Sequence, residues 1–314
     1  MTPIQENRVF AGPNAIRDFL NLENHPPTPL VELPEDFLGS LATKKVRIFG
    51  KMQNLNMLRN VKAQQVAGMR DRANLSGVHT LVESTSGSTG HILPIFAHAY
   101  GIDNVEVIVS PNVTKSKRLM MQLTGAKIRE SKNGIPEARQ LGEQKGWRNL
   151  GQYSNWHNPI AMQLLAEEVD NQSRGEISVY VAGMGTAATI MGGQFYYGDD
   201  VKMVGVILEN GHIVPGVRKY EDLQKDFEWE ESSIAWVTMQ RKPSFLMSIK
   251  LCRIGLLAGP SSGFALAGAL KFLRIADSTR KLDELRNNKG EVNVVVIFAD
   301  GPDLYIEEYE AYLE

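Results

Sequence analysis

Cysteine is nearly missing: the 314 residues hold one, Cys252. A lone thiol closes no internal disulfide and builds no thiolate metal cage, and it reads as buried packing rather than a nucleophile. The six histidines fall at no metal-ligand spacing, so no metal site is expected; His91 and His98, on one predicted helix, read as packing or surface. Charge of one sign is also missing. The 34 Lys+Arg against 36 Asp+Glu leave a net charge of −2, without the basic footprint that neutralises phosphates in a nucleic-acid binder. No apolar run approaches the roughly 20 residues that cross a bilayer. The nearest, Ile254-Gly-Leu-Leu-Ala-Gly259, is short and broken by glycine. The opening residues MTPIQENRVF lack the basic-then-apolar pattern of a secretory signal. A soluble, cytoplasmic protein is expected, with neither nucleic acid nor membrane as partner. Solenoid repeats and low-complexity tracts are absent too.

What is present is an ordinary globular composition, 43% hydrophobic and 22% charged, at a length that suggests about two domains. Short β-branched or apolar runs at 46–49, 78–82, 105–109, 177–182, 201–208 and 292–298 read as buried strands. Helical periods lie between them at 61–73, 115–123, 137–145, 159–170 and 263–276. Strand-then-helix repetition needs crossovers, hence an α/β fold with mostly parallel sheet covered on both faces. Ligands of such sheets bind beyond the carboxyl ends of the strands, so the loops there are where chemistry is sought. The acidic, aromatic stretch 220–236 breaks the alternation and reads as a surface excursion whose carboxylates form a solvated face.

Two strands end in suggestive turns. Leu81-Val82-Glu83 leads into Ser84-Thr85-Ser86-Gly87-Ser88-Thr89-Gly90 and a helical stretch. Small hydroxylic residues at such a turn let amides converge on an anion, although a plain helix cap would use the same residues. No Lys-Ser/Thr follows, so it is not a Walker A loop. The second turn, Gly183-Met184-Gly185-Thr186-Ala187-Ala188-Thr189, admits two readings. As G-x-G-x-x-A, with Glu209 ending the next strand, it fits a dinucleotide fingerprint. It equally fits a nest for one phosphate monoester. The turn alone leaves both open.

The neighbouring motifs decide. Thr28-Pro29-Leu30 is followed by Lys51-Met52-Gln53-Asn54-Leu55-Asn56-Met57-Leu58-Arg59-Asn60-Val61-Lys62, then by the two turns, GLLAGPSSG at 255–263 and Asp300-Gly301-Pro302-Asp303-Leu304-Tyr305. In that order the chain resembles the fold type II pyridoxal-phosphate enzymes, the cysteine synthase/cystathionine β-synthase family. Its motifs are T-P-L, K-L-E-x-x-N-P-x-x-S-x-K, T-S-G-N-T-G, G-x-G-T-G-G-T, G-x-x-x-G-x-S-S-G and P-D-S-G-x-x-Y. The likeness is collinear over nearly the whole chain.

The resemblance implies two domains with twisted, mostly parallel sheets flanked by helices, a tryptophan synthase β-like architecture. A smaller mobile domain would span 46–147, the larger 1–45 and 148–314, with pyridoxal phosphate in the cleft between. Lys62 stands at the position of the lysine that holds the cofactor as a Schiff base and then works as acid or base at the substrate's α-carbon. Thr85, Ser86, Gly87 and Thr89 match the loop that grips the substrate carboxylate, and Gln152 a glutamine that assists; Tyr153 fits the family's aromatic. Gly183, Gly185, Thr186, Ala187, Ala188 and Thr189 match the cofactor-phosphate loop, and Ser88 stands where an asparagine meets the cofactor's phenolic oxygen.

Several positions depart from the family. Met57 and Asn60 replace a proline and a serine ahead of the lysine. Ala187 and Ala188 replace glycines, which suits only a backbone with negative φ and room for Cβ. Gly301 falls where a serine meets the ring nitrogen, leaving that contact to water, Ser261, Ser262, Asp300 or Asp303. Arg218 replaces a glycine in the loop bordering the site. Family members that use O-phosphoserine are similar in placing an arginine there, and a guanidinium suits a phosphate leaving group. The alternative is a surface arginine paired with Glu221 or Asp222. The expectation is β-replacement on O-acetylserine, O-phosphoserine or serine through an aminoacrylate, by a homodimer acting on a small amino-acid substrate. A β-elimination lyase or dehydratase of the same fold, a nicotinamide enzyme and a catalytically inert relative are the rivals.

Overall fold

A computed structural model describes residues 9–71, 73–223 and 233–313. Its strands are β1 (Leu30–Glu32), β2 (Val46–Met52), β3 (Thr80–Ser84), β4 (Asn104–Val109), β5 (Ala126–Glu130), β6 (Trp147–Asn149), β7 (Val179–Gly183), β8 (Lys202–Leu208), β9 (Ile234–Met239) and β10 (Val292–Phe298). They form a six-stranded sheet in the order β1-β2-β10-β7-β8-β9 and a four-stranded sheet in the order β5-β4-β3-β6. Every pairing is parallel except β1 with β2.

The run VNVVVIF explains the centre of the larger sheet. β10 is buried along its whole length, and Val294 lies opposite Ile48 on one side and Val179 on the other. A strand covered on both faces must be apolar throughout, so alternation is absent. Helices supply the covers: α1 (Ala15–Leu20), α2 (Lys62–Asp71), α3 (Ser88–Ala99), α4 (Lys115–Leu123), α5 (Gly134–Gly142), α6 (His157–Ser173), α7 (Ala188–Tyr197), α8 (Arg241–Arg253), α9 (Pro260–Ser278) and α10 (Ile306–Tyr309). Phe264 and Leu270 of α9 pack one face of the large sheet, and Met162 of α6 with Ile190 of α7 pack the other. Val66 of α2 and Phe96 of α3 join the separate core of the small sheet. Gly68 of α2 lies against α6 so closely that a Cβ there would collide with Ala161. Helix α2 thus binds the two sheets together at the level of the site.

The α/β, mostly parallel architecture is the one expected. Residues 46–52 form an inner strand of the larger sheet, paired with β10 along seven residues, and the smaller sheet runs from β3 to β6. The smaller sheet's strands lie between residues 80 and 149. An apolar run announces a buried strand but not which sheet receives it. Of the acidic stretch 220–236, residues 224–232 lie outside the described residues, whereas Ile234-Ala235-Trp236 opens edge strand β9 rather than a surface loop.

Candidate active site

Residues that follow the carboxyl ends of β2, β3, β6, β7, β8 and β10 line neighbouring spaces, the position at which parallel sheets hold ligands. The segments leaving those ends wall two adjoining spaces, an inner chamber of about 60 Å³ and an outer cleft of about 320 Å³. Lys62, Ser88, Gly185 and Thr186 line both, so the spaces share a wall.

Lys62 opens α2, and the sequence ahead of it explains the placement. Asn56 Oδ1 accepts from the amides of Leu58 and Asn60, and Arg59 takes φ 56°. Asn60 Oδ1 then accepts from the Lys62 amide at 3.0 Å, a capping role that any short polar side chain can fill. This accounts for asparagine in place of the family's serine. The Lys62 ammonium donates to Gln65 Oε1 at 2.5 Å, and Gln65 Nε2 donates to Thr189 Oγ1 at 3.5 Å. Burial, followed by repulsion from Arg218, lowers the amine from 10.5 to about 8, with Glu83 and Asp300 opposing. Neutral in a substantial fraction near physiological pH, it can take a proton or attack a carbonyl.

Beyond β3, Thr85, Ser86, Ser88 and Thr89 line the outer cleft. Gly87 has φ 143° and does not line it; a Cβ there would meet Lys117 Cδ at 2.8 Å. The first turn of α3 has no side-chain cap, leaving its amides to an external acceptor. Thr89 Oγ1 donates to Gln152 Oε1 at 2.8 Å, and Gln152 Nε2 donates to the Ser84 carbonyl at 2.6 Å. Behind them stands Glu83, 2% exposed, whose Oε2 accepts from the amides of Gly151 and Gln152. Burial lifts this carboxyl from 4.5 to about 7. Sequence reading assigned Glu83 no role, although a carboxylate inside the apolar run TLVES was a signal. It equally passed over Gln65, one turn beyond Lys62, and Lys117, which lines the cleft although 7% exposed.

After β7, Gly183, Gly185, Thr186, Ala187 and Thr189 line the inner chamber. A Cβ at Gly185 would meet the Gly216 carbonyl oxygen at 2.5 Å, so only glycine fits. Ala187 precedes α7 in the left-handed region at φ 68°, with no side-chain cap on the helix. The expectation that negative φ permits alanine here is therefore corrected at 187: the residue is strained, and strain of this kind concentrates at functional sites. Ala188 is helical, fully buried and outside the chamber wall. The uncapped amides of α7, with the Thr186 and Thr189 hydroxyls, form a nest suited to a phosphate monoester.

Arg218 lines the outer cleft. Its guanidinium donates to Tyr153 Oη at 2.8 Å and the Asp222 carbonyl at 3.0 Å, and stacks 4.5 Å from the Tyr153 ring. It makes no carboxylate ion pair among the described residues, so the pairing with Glu221 or Asp222 side chains is not formed. Ser261 lines the inner chamber, together with Asp300; Gly301 does not. Ser262 Oγ is buried away from it, and Asp303 pairs with Arg59 at 2.9 Å on the surface. Glu209, the ribose-binding position of the dinucleotide reading, accepts from Gln240 at 3.0 Å and lines neither space.

Residues 22–299 match the family described as "Pyridoxal-phosphate dependent enzyme". Cysteine synthase B of Pseudomonas aeruginosa is 29% identical over 298 residues, covering 89% of this chain and 93% of that one. Cysteine synthase of Aquifex aeolicus is 28% identical over 303 residues, covering 89% and 88%. Among solved structures, O-ureido-L-serine synthase superposes with a TM-score of 0.77 at 21% identity, covering 95% of each chain. Cysteine synthase of Entamoeba histolytica superposes with a TM-score of 0.77 at 19% identity, covering 98% of this chain and 93% of that one; at such identities both share the fold.

Proposed function

Since the chain belongs to the pyridoxal-phosphate dependent enzyme family, we propose that it catalyses β-replacement on a serine-derived amino acid, with Lys62 as the catalytic base. The residues present fit the cofactor. The inner chamber joins a nest of uncapped amides, with no room for a Cβ at Gly185, to a lysine amine lowered to about 8. A phosphate suits the first and an aldehyde the second, whereas the pyrophosphate and ribose of a dinucleotide would leave Glu209 unused. Bound there, pyridoxal phosphate supplies an aldehyde that condenses with amines and a ring that draws electrons from the α-carbon.

The chain's own groups supply the rest. Thr85, Ser86 and Thr89, at the uncapped start of α3, hold the substrate carboxylate, with Gln152 fixing Thr89. Lys62 Nζ takes the α-proton, and Gln65 keeps that nitrogen aimed between α2 and the nest. Arg218 meets the departing group at the β-carbon, where its donors favour phosphate over acetate or hydroxide. Closure of the four-stranded unit over the cleft excludes water. The observation that carries the proposal is that Lys62 lines both the chamber holding the nest and the adjoining cleft holding the Thr89–Gln152 pair. The reading includes a homodimer in the cytoplasm. Ile160 and Leu164 of α6 and Phe195 of α7, exposed apolar side chains on packed helices, support the dimer.

The test is turnover of O-phosphoserine, O-acetylserine and serine with sulfide, a thiol or an amine as acceptor. Loss of a positioned general base costs about 10²–10⁴-fold, so Lys62→Ala should lose at least that. A variant that keeps wild-type turnover overturns the assignment. Production of keto acid alone, with every acceptor, would identify a β-elimination lyase instead.

A further inference from the structure

The family resemblance expects a hydroxyl at 301 to meet the cofactor's ring nitrogen, whereas the Cβ direction at 301 leads toward an exposed ion pair. A Cβ on Gly301 would point at Asp303 Oδ2, 2.8 Å away, with Arg59 Nη2 at 3.6 Å. Those two groups form the exposed ion pair outside the chamber. The preceding residue faces inward instead. Asp300, 5% exposed, carries the one carboxylate among the described residues that line the inner chamber.

Its position is fixed from several directions. The Val61 amide donates to the Ala299 carbonyl at 2.7 Å, and the Gly259 amide to the Asp300 carbonyl at 2.8 Å. Tyr305 Oη donates to Asp300 Oδ2 at 2.5 Å, and Ser261 Oγ to Oδ1 at 3.1 Å. Gly259 leaves space for the side chain, since a Cβ there would lie 2.6 Å from Oδ1. An ionised carboxylate has about four lone-pair sites, so two hydroxyls leave it able to accept from the chamber.

Elimination points to the same group. Of the polar side chains on the chamber wall, Asn60 caps α2, and Gln65 is held by Lys62 and Thr189. Ser88, which lines both chamber and cleft, is engaged with the Tyr305 phenol. With the phosphate in the nest and the aldehyde at Lys62, the ring nitrogen is left with Ser261 and Asp300. The Ser261 hydroxyl already gives its proton to Asp300.

We propose that Asp300 meets the pyridine nitrogen of the cofactor, as a carboxylate accepting a hydrogen bond from a protonated ring. The inference rests on the cofactor assignment above but not on the substrate. Burial raises the Asp300 carboxyl above its ordinary range, with the hydroxyls of Tyr305 and Ser261 and the charge of Lys117 opposing and Asp303 adding to the rise; a cationic donor at the chamber wall is what such a carboxylate lacks. In the proposed pair the nitrogen carries the proton and the ring's positive charge balances the carboxylate. A protonated ring withdraws charge from the α-carbon more strongly than a neutral one beside a hydroxyl. The α-proton of amino acids without a leaving group then becomes exchangeable as well.

The experiment loads the full chain with pyridoxal phosphate labelled with nitrogen-15 in the ring and records the nitrogen chemical shift. Wild type should show a pyridinium shift. Asp300→Asn and Asp300→Ser, the latter restoring a hydroxyl, should show that of a neutral pyridine. Tyr305→Phe and Ser261→Ala, which remove the carboxylate's partners, should keep the pyridinium. A neutral pyridine in the wild type, or a pyridinium retained in either Asp300 variant, overturns the proposal. Failure of the wild type to take up the cofactor overturns the cofactor assignment with it, whereas uptake with a neutral ring overturns this inference alone.

Discussion

Lys62→Met in the cofactor-free protein isolates the electrostatic state of the central amine. An unfolded lysine keeps its proton up to about 10.5, whereas burial and Arg218 make the folded one release it at about 8. Between those values the unfolded chain binds more protons, so raising the pH stabilises the folded state; below about 8 the buried ammonium costs its full amount. At about 1.4 kcal/mol per pH unit, the interval corresponds to roughly 3 kcal/mol. Methionine removes the titrating group at similar volume. It also leaves Gln65 Oε1 without its donor, a penalty of about 1–3 kcal/mol that does not depend on pH. The stability of wild type relative to the variant should therefore climb by about 3 kcal/mol as the pH rises from 8 to 10.5. Urea denaturation of both proteins at matched pH values reads that difference directly. A difference that stays flat over this range, or falls, would refute the depressed amine and the charge arrangement inferred to cause it.

Glu83→Gln tests the opposite sign. The Glu83 carboxyl, raised from 4.5 to about 7, binds more protons in the folded state between those values, so wild-type stability falls as the pH rises through them. The glutamine variant should lack that slope in thermal melts. Ala187→Gly releases the strain of φ 68° and should raise stability by up to about 1 kcal/mol; a loss of that size by denaturation would contradict the left-handed assignment. Gly185→Ala drives a Cβ to 2.5 Å from the Gly216 carbonyl and should weaken cofactor binding at least tenfold (about 1.4 kcal/mol) in an equilibrium titration. Arg218→Ala should reduce kcat/KM for O-phosphoserine more than for O-acetylserine, by about tenfold or more for a lost charged hydrogen bond; equal losses would remove Arg218 from leaving-group recognition.

The interior of each sheet was legible in the sequence, and the edges were not. Every predicted strand has a counterpart, and 292–298 coincides with β10. The strands that escaped are β1, β5, β6 and β9, which stand at the four sheet edges. An inner strand covered on both faces declares itself by a run such as VNVVVIF. An edge strand such as AKIRE, buried at its first residue alone, has too short an apolar pattern to do so. The same contrast governs the site. Motif spacing located the loops, because glycines and small hydroxylic residues at strand ends carry a local signal. Gln152 and Thr89, 63 positions apart, meet through the pairing of β3 with β6, which family resemblance supplied and residue pattern could not. Glu83 and Lys117 owe their importance to burial, and side-chain direction at 300 and 301 is settled only by the backbone after β10.

The charges around the cleft explain why amine and anion sites must be built together. Arg218 stands close enough to Lys62 to push its proton off, and no carboxylate pairs with that guanidinium among the described residues. Such uncompensated positive charge is costly in a part-buried site unless a ligand brings the balancing charge. A phosphate in the nest after β7 and a carboxylate at the 85–89 loop are negative charges of the kind required. On the proposed assignment their arrival would offset the repulsion from Arg218 and make Lys62 a stronger base than it is in the empty protein. Basicity would then be greatest with both anions in place, which is when the proposed reaction offers an α-proton to be taken.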